Sequence, residues 1–93
     1  MGRNNMTYTL DGTKMTAKSE AHAYIANVLG FPSYYGKNLD ALFDCLCELS
    51  KDSEIIITSA HAIPALLGDY GTRLLDVFKE AAFDRWIRLT ISE

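Results

Sequence analysis

Glu54-Ile55-Ile56-Ile57-Thr58 sets three β-branched aliphatic residues in a row near the middle of the chain. A run this short and this apolar reads as a strand buried on both faces, of the kind found at the centre of a parallel sheet. Upstream, Thr7-Tyr8-Thr9-Leu10 is β-branched and aromatic and stops at the turn pair Asp11-Gly12, which gives a first strand. At the far end Ile87, Leu89 and Ile91 alternate with Arg88 and Thr90, the pattern of a half-buried strand. The intervals between these strands carry helical spacing. Ser19, followed by Glu20 and then Ala23, Ile25, Ala26 and Leu29, reads as a capped helix that ends at Gly30 before Pro32. Asn38 is a good cap for a second helix through Leu49, whose apolar positions 39, 42, 46 and 49 share one face. Ser59 opens a short helix to Leu67, limited by Pro64, and Leu74, Val77, Phe78 and Ala81 mark another from about Tyr70 to Phe83. The order β, α, α, β, α, α, β, with helices between the strands, predicts an α/β domain. Its sheet has three mainly parallel strands with about four helices packed on it, and Glu54–Thr58 in the centre.

A chain of 93 residues is long enough for one domain, 1–93, and buries about 60–65% of its unfolded surface. Residues 1–5 are expected to be disordered. Nine basic against twelve acidic residues give a net charge of −3. Residues 1–30 carry three basic and two acidic groups, and residues 31–93 carry six and ten. That is the reverse of the basic face a nucleic-acid binder needs, and it suits a basic partner. No run approaches the roughly 18 apolar residues of a membrane span. The start, Met1 to Met6, has no apolar core of a signal peptide, and Met6 stands where a myristoylation start needs Ser or Thr. Cys45 and Cys47 are too close to bridge each other in regular structure and too few for a zinc site. Reduced thiols in a cytoplasmic, monomeric protein without metal or cofactor are the expectation.

The second helix carries the most unusual pattern. At 100° per residue Asp40, Asp44, Glu48 and Asp52 fall at about −40°, 0°, +40° and +80° from Asp44, opposite the centre of the apolar stripe. Like charges at this spacing cost roughly 0.2–0.5 kcal/mol each. Asp40 recovers part of that from the helix N-terminus, and Lys51 is placed to relieve Glu48. Asp44 has no basic residue at i±3 or i±4. A solvated helix face would account for such a row by itself, but two large rings, Tyr34-Tyr35, sit at the mouth of the same helix. One of the pair is expected to fold onto the core. Phe43 falls between stripe and acidic row, half core and half contact. Cys45 lies at about +100°, toward the stripe, and Cys47 near −60°, toward the exposed row, so Cys47 is the more accessible thiol by this phase. A second acidic row, Asp76, Glu80 and Asp84, lies on the later helix, partly neutralised by Arg73 and Lys79.

The string Phe31-Pro-Ser-Tyr-Tyr-Gly-Lys-Asn-Leu-Asp-Ala-Leu-Phe-Asp-Cys-Leu46 resembles, without gaps, the central segment of the barstar family of intracellular inhibitors of barnase-type ribonucleases. Weaker similarity covers nearly the whole chain, including the opening strand, Ser19 to His22, and Val77 to Ala81. The resemblance implies a three-stranded parallel sheet with helices, and a loop and second helix that plug a ribonuclease active site in a 1:1 complex. By position it implies contacts from Tyr34, Asn38, Asp40 and, at an aromatic position, Phe43. Asp44 matches the aspartate whose carboxylate replaces a substrate phosphate, and Glu80 and Asp84 match peripheral acidic contacts. Lys37 stands where the family has Glu, Cys47 replaces a small hydroxyl residue at the contact surface, and Leu49 replaces a tryptophan. These departures bear on affinity and on which nuclease is bound.

Two other classes stay open beside the inhibitor of a basic ribonuclease: an adaptor of the same fold with a non-nuclease partner, and a small enzyme. His22 and His61, the only histidines, lie on expected helices without a ligand or triad partner at useful spacing. A lone helical histidine is more often a surface or satisfied core residue. No metalloprotease, phosphate-loop or nucleophile-elbow motif is present. Trp86 and the aliphatic strands are expected in the core.

Overall fold

The computed structural model of the chain describes residues 6–50, 52–85 and 87–93; the expectations for residues 1–5, Lys51 and Trp86 fall outside them. In order come β1 (Thr7–Asp11), a 3-10 turn (Gly12–Lys14), α1 (Lys18–Leu29), α2 (Leu39–Cys47), β2 (Glu54–Thr58), α3 (Ala62–Leu67), α4 (Asp69–Arg85) and β3 (Arg88–Ile91). The sheet order is β1-β2-β3 with both pairings parallel, so β2 is central as expected. Thr9, Ile56 and Thr90 stand in one register row, and Leu10, Ile57 and Ile91 in the next.

Burial of the sheet is one-sided, which corrects the reading of β2 as covered on both faces. Leu10, Ile55 and Ile57 are buried and Tyr8, Leu89 and Ile91 half-buried on one face. On the other face Thr7, Thr9, Arg88 and Thr90 are exposed, and Glu54, Ile56 and Thr58 are half-buried. The reason lies in the connections. Two right-handed crossovers stepping the same way across a sheet both fall on one face, so the other face receives no helix.

The helix limits follow local chemistry. α1 starts at Lys18 behind an extended Ala17 that makes no side-chain cap bond, so Ser19 sits inside the first turn and is not the cap. Its other end is as expected: Gly30 takes a left-handed conformation (φ 73°) and donates to the Ala26 carbonyl at 2.9 Å. α2 ends at Cys47, short of the expected Leu49, because the chain must turn to bring Glu54 N–H onto the Met6 carbonyl at 2.8 Å. Asp52 therefore leaves the acidic row. Ser59 has φ 50° and offers its carbonyl, not its hydroxyl, to Ala62 N–H at 2.9 Å, so α3 begins later than expected. α4 runs from Asp69 to Arg85, longer than its apolar spacing suggests. At Gly71 it passes so close to α3 that a Cβ would stand 2.5 Å from the Ile63 carbonyl oxygen.

The core joins Ala21 and Ile25 of α1, Leu42 and Leu46 of α2, Ile55 and Ile57 of β2, and Leu74, Phe78 and Ala81 of α4. One polar group is set into it. His22 is 1% exposed, with Nδ1 2.7 Å from the Tyr35 hydroxyl and Nε2 2.6 Å from the Tyr70 hydroxyl. A neutral imidazole donates through one nitrogen and accepts through the other, so both ring nitrogens are satisfied. Burial pushes both tyrosine hydroxyls up and keeps them protonated, although the Arg73 charge partly opposes the shift at Tyr70. His22 is thus a satisfied core residue, one of the two roles expected of a lone helical histidine.

Burial, and then the Lys37 charge, hold the His22 imidazole below its ordinary value of 6.5. The folded chain therefore takes up this proton less readily than the unfolded chain. The resulting stability is full above about pH 6.5 and is lost as pH falls toward the depressed folded-state value. Urea unfolding at about pH 7.5 and about pH 5 should show a larger acid loss for the parent than for His22→Gln, approaching but not exceeding about 1.4 kcal/mol per pH unit. Equal slopes would show that this proton is not linked to folding.

Candidate functional site

The segment from Gly30 to Asn38 has no regular structure, and two features aim it. Tyr35 turns inward (7% exposed) with its ring centroid 5.0 Å from that of Phe31, and its N–H donates to the Pro32 carbonyl at 3.0 Å. Tyr34 points the other way and is 86% exposed. The expected division of the pair, one ring in and one out, is what the structure shows. Lys37 then adopts a left-handed conformation (φ 57°), which costs a non-glycine residue about 1 kcal/mol and swings the chain into α2.

Asn38 starts that helix. Its backbone is extended, and its Oδ1 accepts from Ala41 N–H at 2.7 Å, a cap worth about 1 kcal/mol. The cap fixes the helical phase: Leu42 and Leu46 are buried, Phe43 is half-buried, and Asp40, Asp44 and Glu48 are exposed. Asp40 lies in the first turn, where a carboxylate is favoured by the helix dipole.

Two hollows meet at Asp44. One, of about 460 Å³, lies between α2 and α4 and is lined by Leu39, Asp40, Phe43 and Asp44 with Val77 and Glu80. The other, of about 250 Å³, lies between α2 and the preceding loop, where Tyr34, Asp44, Cys45 and Glu48 face one another across Pro32 and Gly36. Asp44 stands on the ridge between them, the only one of the described residues that lines both. Of the residues singled out in the sequence, Tyr34, Asp40, Phe43, Asp44 and Glu80 therefore gather around one continuous surface. Asp84, one turn beyond Glu80, lines a separate hollow with Phe83 and Ile87 at the end of α4.

Cys47 lines neither of the hollows beside Asp44 and is half-buried. Both thiols are half-buried, because α2 packs on both flanks of its apolar stripe. They differ in surroundings: burial, then the Glu48 and Asp44 charges, push the Cys45 thiol up. Glu48, already placed in the acidic row by its spacing, lines the second hollow, whereas Cys45 and Val77 line these hollows without having been singled out as contacts. Val77 was recognisable, since it lies three residues before Glu80 and so on the adjoining flank of α4. The place of Cys45 depends on where the loop folds back, which no periodicity records.

The surface offers carboxylates, an exposed phenol and half-buried aromatic edges. Such a set accepts hydrogen bonds from cationic side chains and covers their apolar stems. Among the described residues no group of three or more histidine, cysteine or acidic side chains is placed to hold a metal ion. No helix among them is long and apolar enough to cross a membrane. His61 is exposed, 3.7 Å from the Glu93 carboxylate, and away from Asp44's two hollows.

Comparison with known proteins adds two findings. A family model described as Barstar (barnase inhibitor) matches residues 5–90. A Bacillus subtilis (strain 168) protein described as "Putative ribonuclease inhibitor YrdF" is 33% identical over 73 residues, which span 77% of this chain and 80% of that protein. A three-stranded parallel sheet, an asparagine-capped helix behind an inward–outward tyrosine pair, and a family match over almost the whole length place this chain in the barstar family.

Proposed function

We propose that this protein inhibits a basic, barnase-type ribonuclease by laying the surface around Asp44 over the enzyme's active site. Family membership supports a ribonuclease-inhibitor role and a protein partner. The observation that carries the finer reading is the position of Asp44, exposed on a ridge with an acidic hollow on either side. A nuclease active site concentrates cationic and histidine side chains around a phosphate position. A carboxylate presented on a ridge reaches such a position, where it can accept paired hydrogen bonds from a guanidinium. Asp40 and Glu80 extend the negative surface across the α2–α4 hollow, while Phe43 and Tyr34 supply apolar contact. Asn38 serves the interface indirectly, since its side-chain oxygen is engaged at Ala41. Asp84 and Cys47 lie at the rim. The action is occlusion rather than turnover, in a 1:1 complex of a monomeric cytoplasmic protein with reduced thiols.

Asp44→Ala separates folding from binding. In the free protein it removes two like-charge pairs, with Asp40 and Glu48, so thermal unfolding should be unchanged or slightly later. Inhibition of barnase should weaken by about 2–5 kcal/mol, because truncation leaves the enzyme's cations desolvated and unpaired. The barnase–barstar pair is itself the reference example for this range, which is borrowed from it and not obtained from the present surface. Asp84→Ala should cost far less and act mainly on association rate and its salt dependence. An Asp44→Ala protein that unfolds, or that inhibits as well as its parent, would defeat the phosphate-mimic reading.

The thiols give a footprint without mutation. Cys45 opens into the hollow beside Tyr34, so bound ribonuclease should slow its alkylation strongly. Cys47, outside both hollows, should change much less. Mass spectrometry of the free and complexed protein after timed alkylation reads both rates, and protection of Cys47 alone would put the interface elsewhere.

A further inference from the structure

We infer that the hydrogen-bonded chain Tyr70–His22–Tyr35 presets the contact loop, which makes His22 and Tyr70 positioning residues for Tyr34 although neither lines the hollows around Asp44. The inference rests on the inhibitor reading for its consequence in binding, but the loop geometry that carries it is independent of the partner.

Within residues 33–38 Tyr35 is the only buried residue, so the loop has one anchor. The Phe31 ring meets it at a tilt of 57°, an apolar contact that does not by itself fix how far the Tyr35 ring slides or turns. The hydroxyl supplies the missing constraint. At 2.7 Å from His22 Nδ1 it has a directional bond to a side chain on α1. His22 is in turn oriented by its second nitrogen, 2.6 Å from the hydroxyl of Tyr70 on α4. Tyr70 is itself held, with the Lys18 ammonium 4.7 Å and the Arg73 guanidinium 5.9 Å from the centre of its ring. The chain of bonds thus runs from α4 through α1 into the loop. Adjacent side chains in this turn point opposite ways, so a fixed Tyr35 is what keeps Tyr34 outward at 86% exposure. A loop already ordered in the free protein loses less entropy when a partner docks on it, so presetting lowers the cost of binding without adding a contact.

Tyr70→Phe keeps the ring, and with it the packing and the two cations, but deletes the hydroxyl that orients His22. We expect amide exchange of residues 34–37 in the free protein to quicken. Inhibition of barnase should weaken about tenfold through faster dissociation, the equivalent of ordering one further loop residue on binding. Both are measured where each variant is fully folded. A merely structural role would lower the unfolding temperature while leaving loop exchange and inhibition at parent values, and that result overturns the inference. His22→Gln keeps one donor and one acceptor and should restore much of the inhibition that His22→Leu loses; a His22→Leu protein that inhibits like its parent also overturns it. Asp44→Ala is the control for the inhibitor reading. If neither it nor the parent behaves as an inhibitor pair should, that reading fails. The exchange rates of residues 34–37 in Tyr70→Phe then decide the presetting alone: faster exchange sustains it and unchanged exchange refutes it.

Discussion

Strand order equals chain order in this sheet, and that constraint arranges everything else. The chain steps from β1 to β2 to β3 in one direction, and the preference for right-handed crossovers sends both helical connections to the same side. Helices contributed before β2 and after it must then share a single layer. α2 and α4, distant in sequence, become neighbours there, joined below by Leu42, Leu46, Leu74 and Phe78 in one core. Their outer flanks are left to form the hollow that holds Asp40, Asp44 and Glu80. A topology with one connection on each face would have separated the two acidic rows by the thickness of the sheet.

The acidic surface is cheap to maintain because its members stay hydrated. Each like-charge contact along α2 costs only a few tenths of a kcal/mol in water, and Asp40 gains from the helix terminus. The same charges repel far more strongly once water is removed, unless a cation arrives with the partner. The surface therefore stores its selectivity in the solvent. Burial of these charges would favour a partner that brings compensating positive charge over one that does not.

Much of this was legible from sequence, for identifiable reasons. Asn38 announces α2 because a side-chain oxygen must meet a free N–H, and Gly30 closes α1 because that turn needs a left-handed residue. The tyrosine pair could be divided into one inward and one outward ring without coordinates, and the family resemblance rather than the local pattern pointed to Tyr34 as the outward one. The both-faces reading of Ile55-Ile56-Ile57 failed because an apolar run reports hydrophobicity and not what lies above it; counting crossovers would have corrected it. Asp52 was assigned to α2 by periodicity, yet the demand that Glu54 meet Met6 ends the helix sooner. The bonds of His22 to Tyr35 and Tyr70 had no sequence signal at all, since their partners lie 13 and 48 residues away.

The uncovered side of the sheet has a practical meaning of its own. Thr7, Thr9, Arg88 and Thr90 face water on the side of the sheet away from the helical layer, with Glu54, Ile56 and Thr58 half-buried between them. The Asp44 ridge belongs to the opposite layer. The molecule thus has a back by which it can be held. A dye, a resin or a fused domain attached there would leave the Asp44 surface uncovered, and substitutions on it would drift more freely than those beneath the helices.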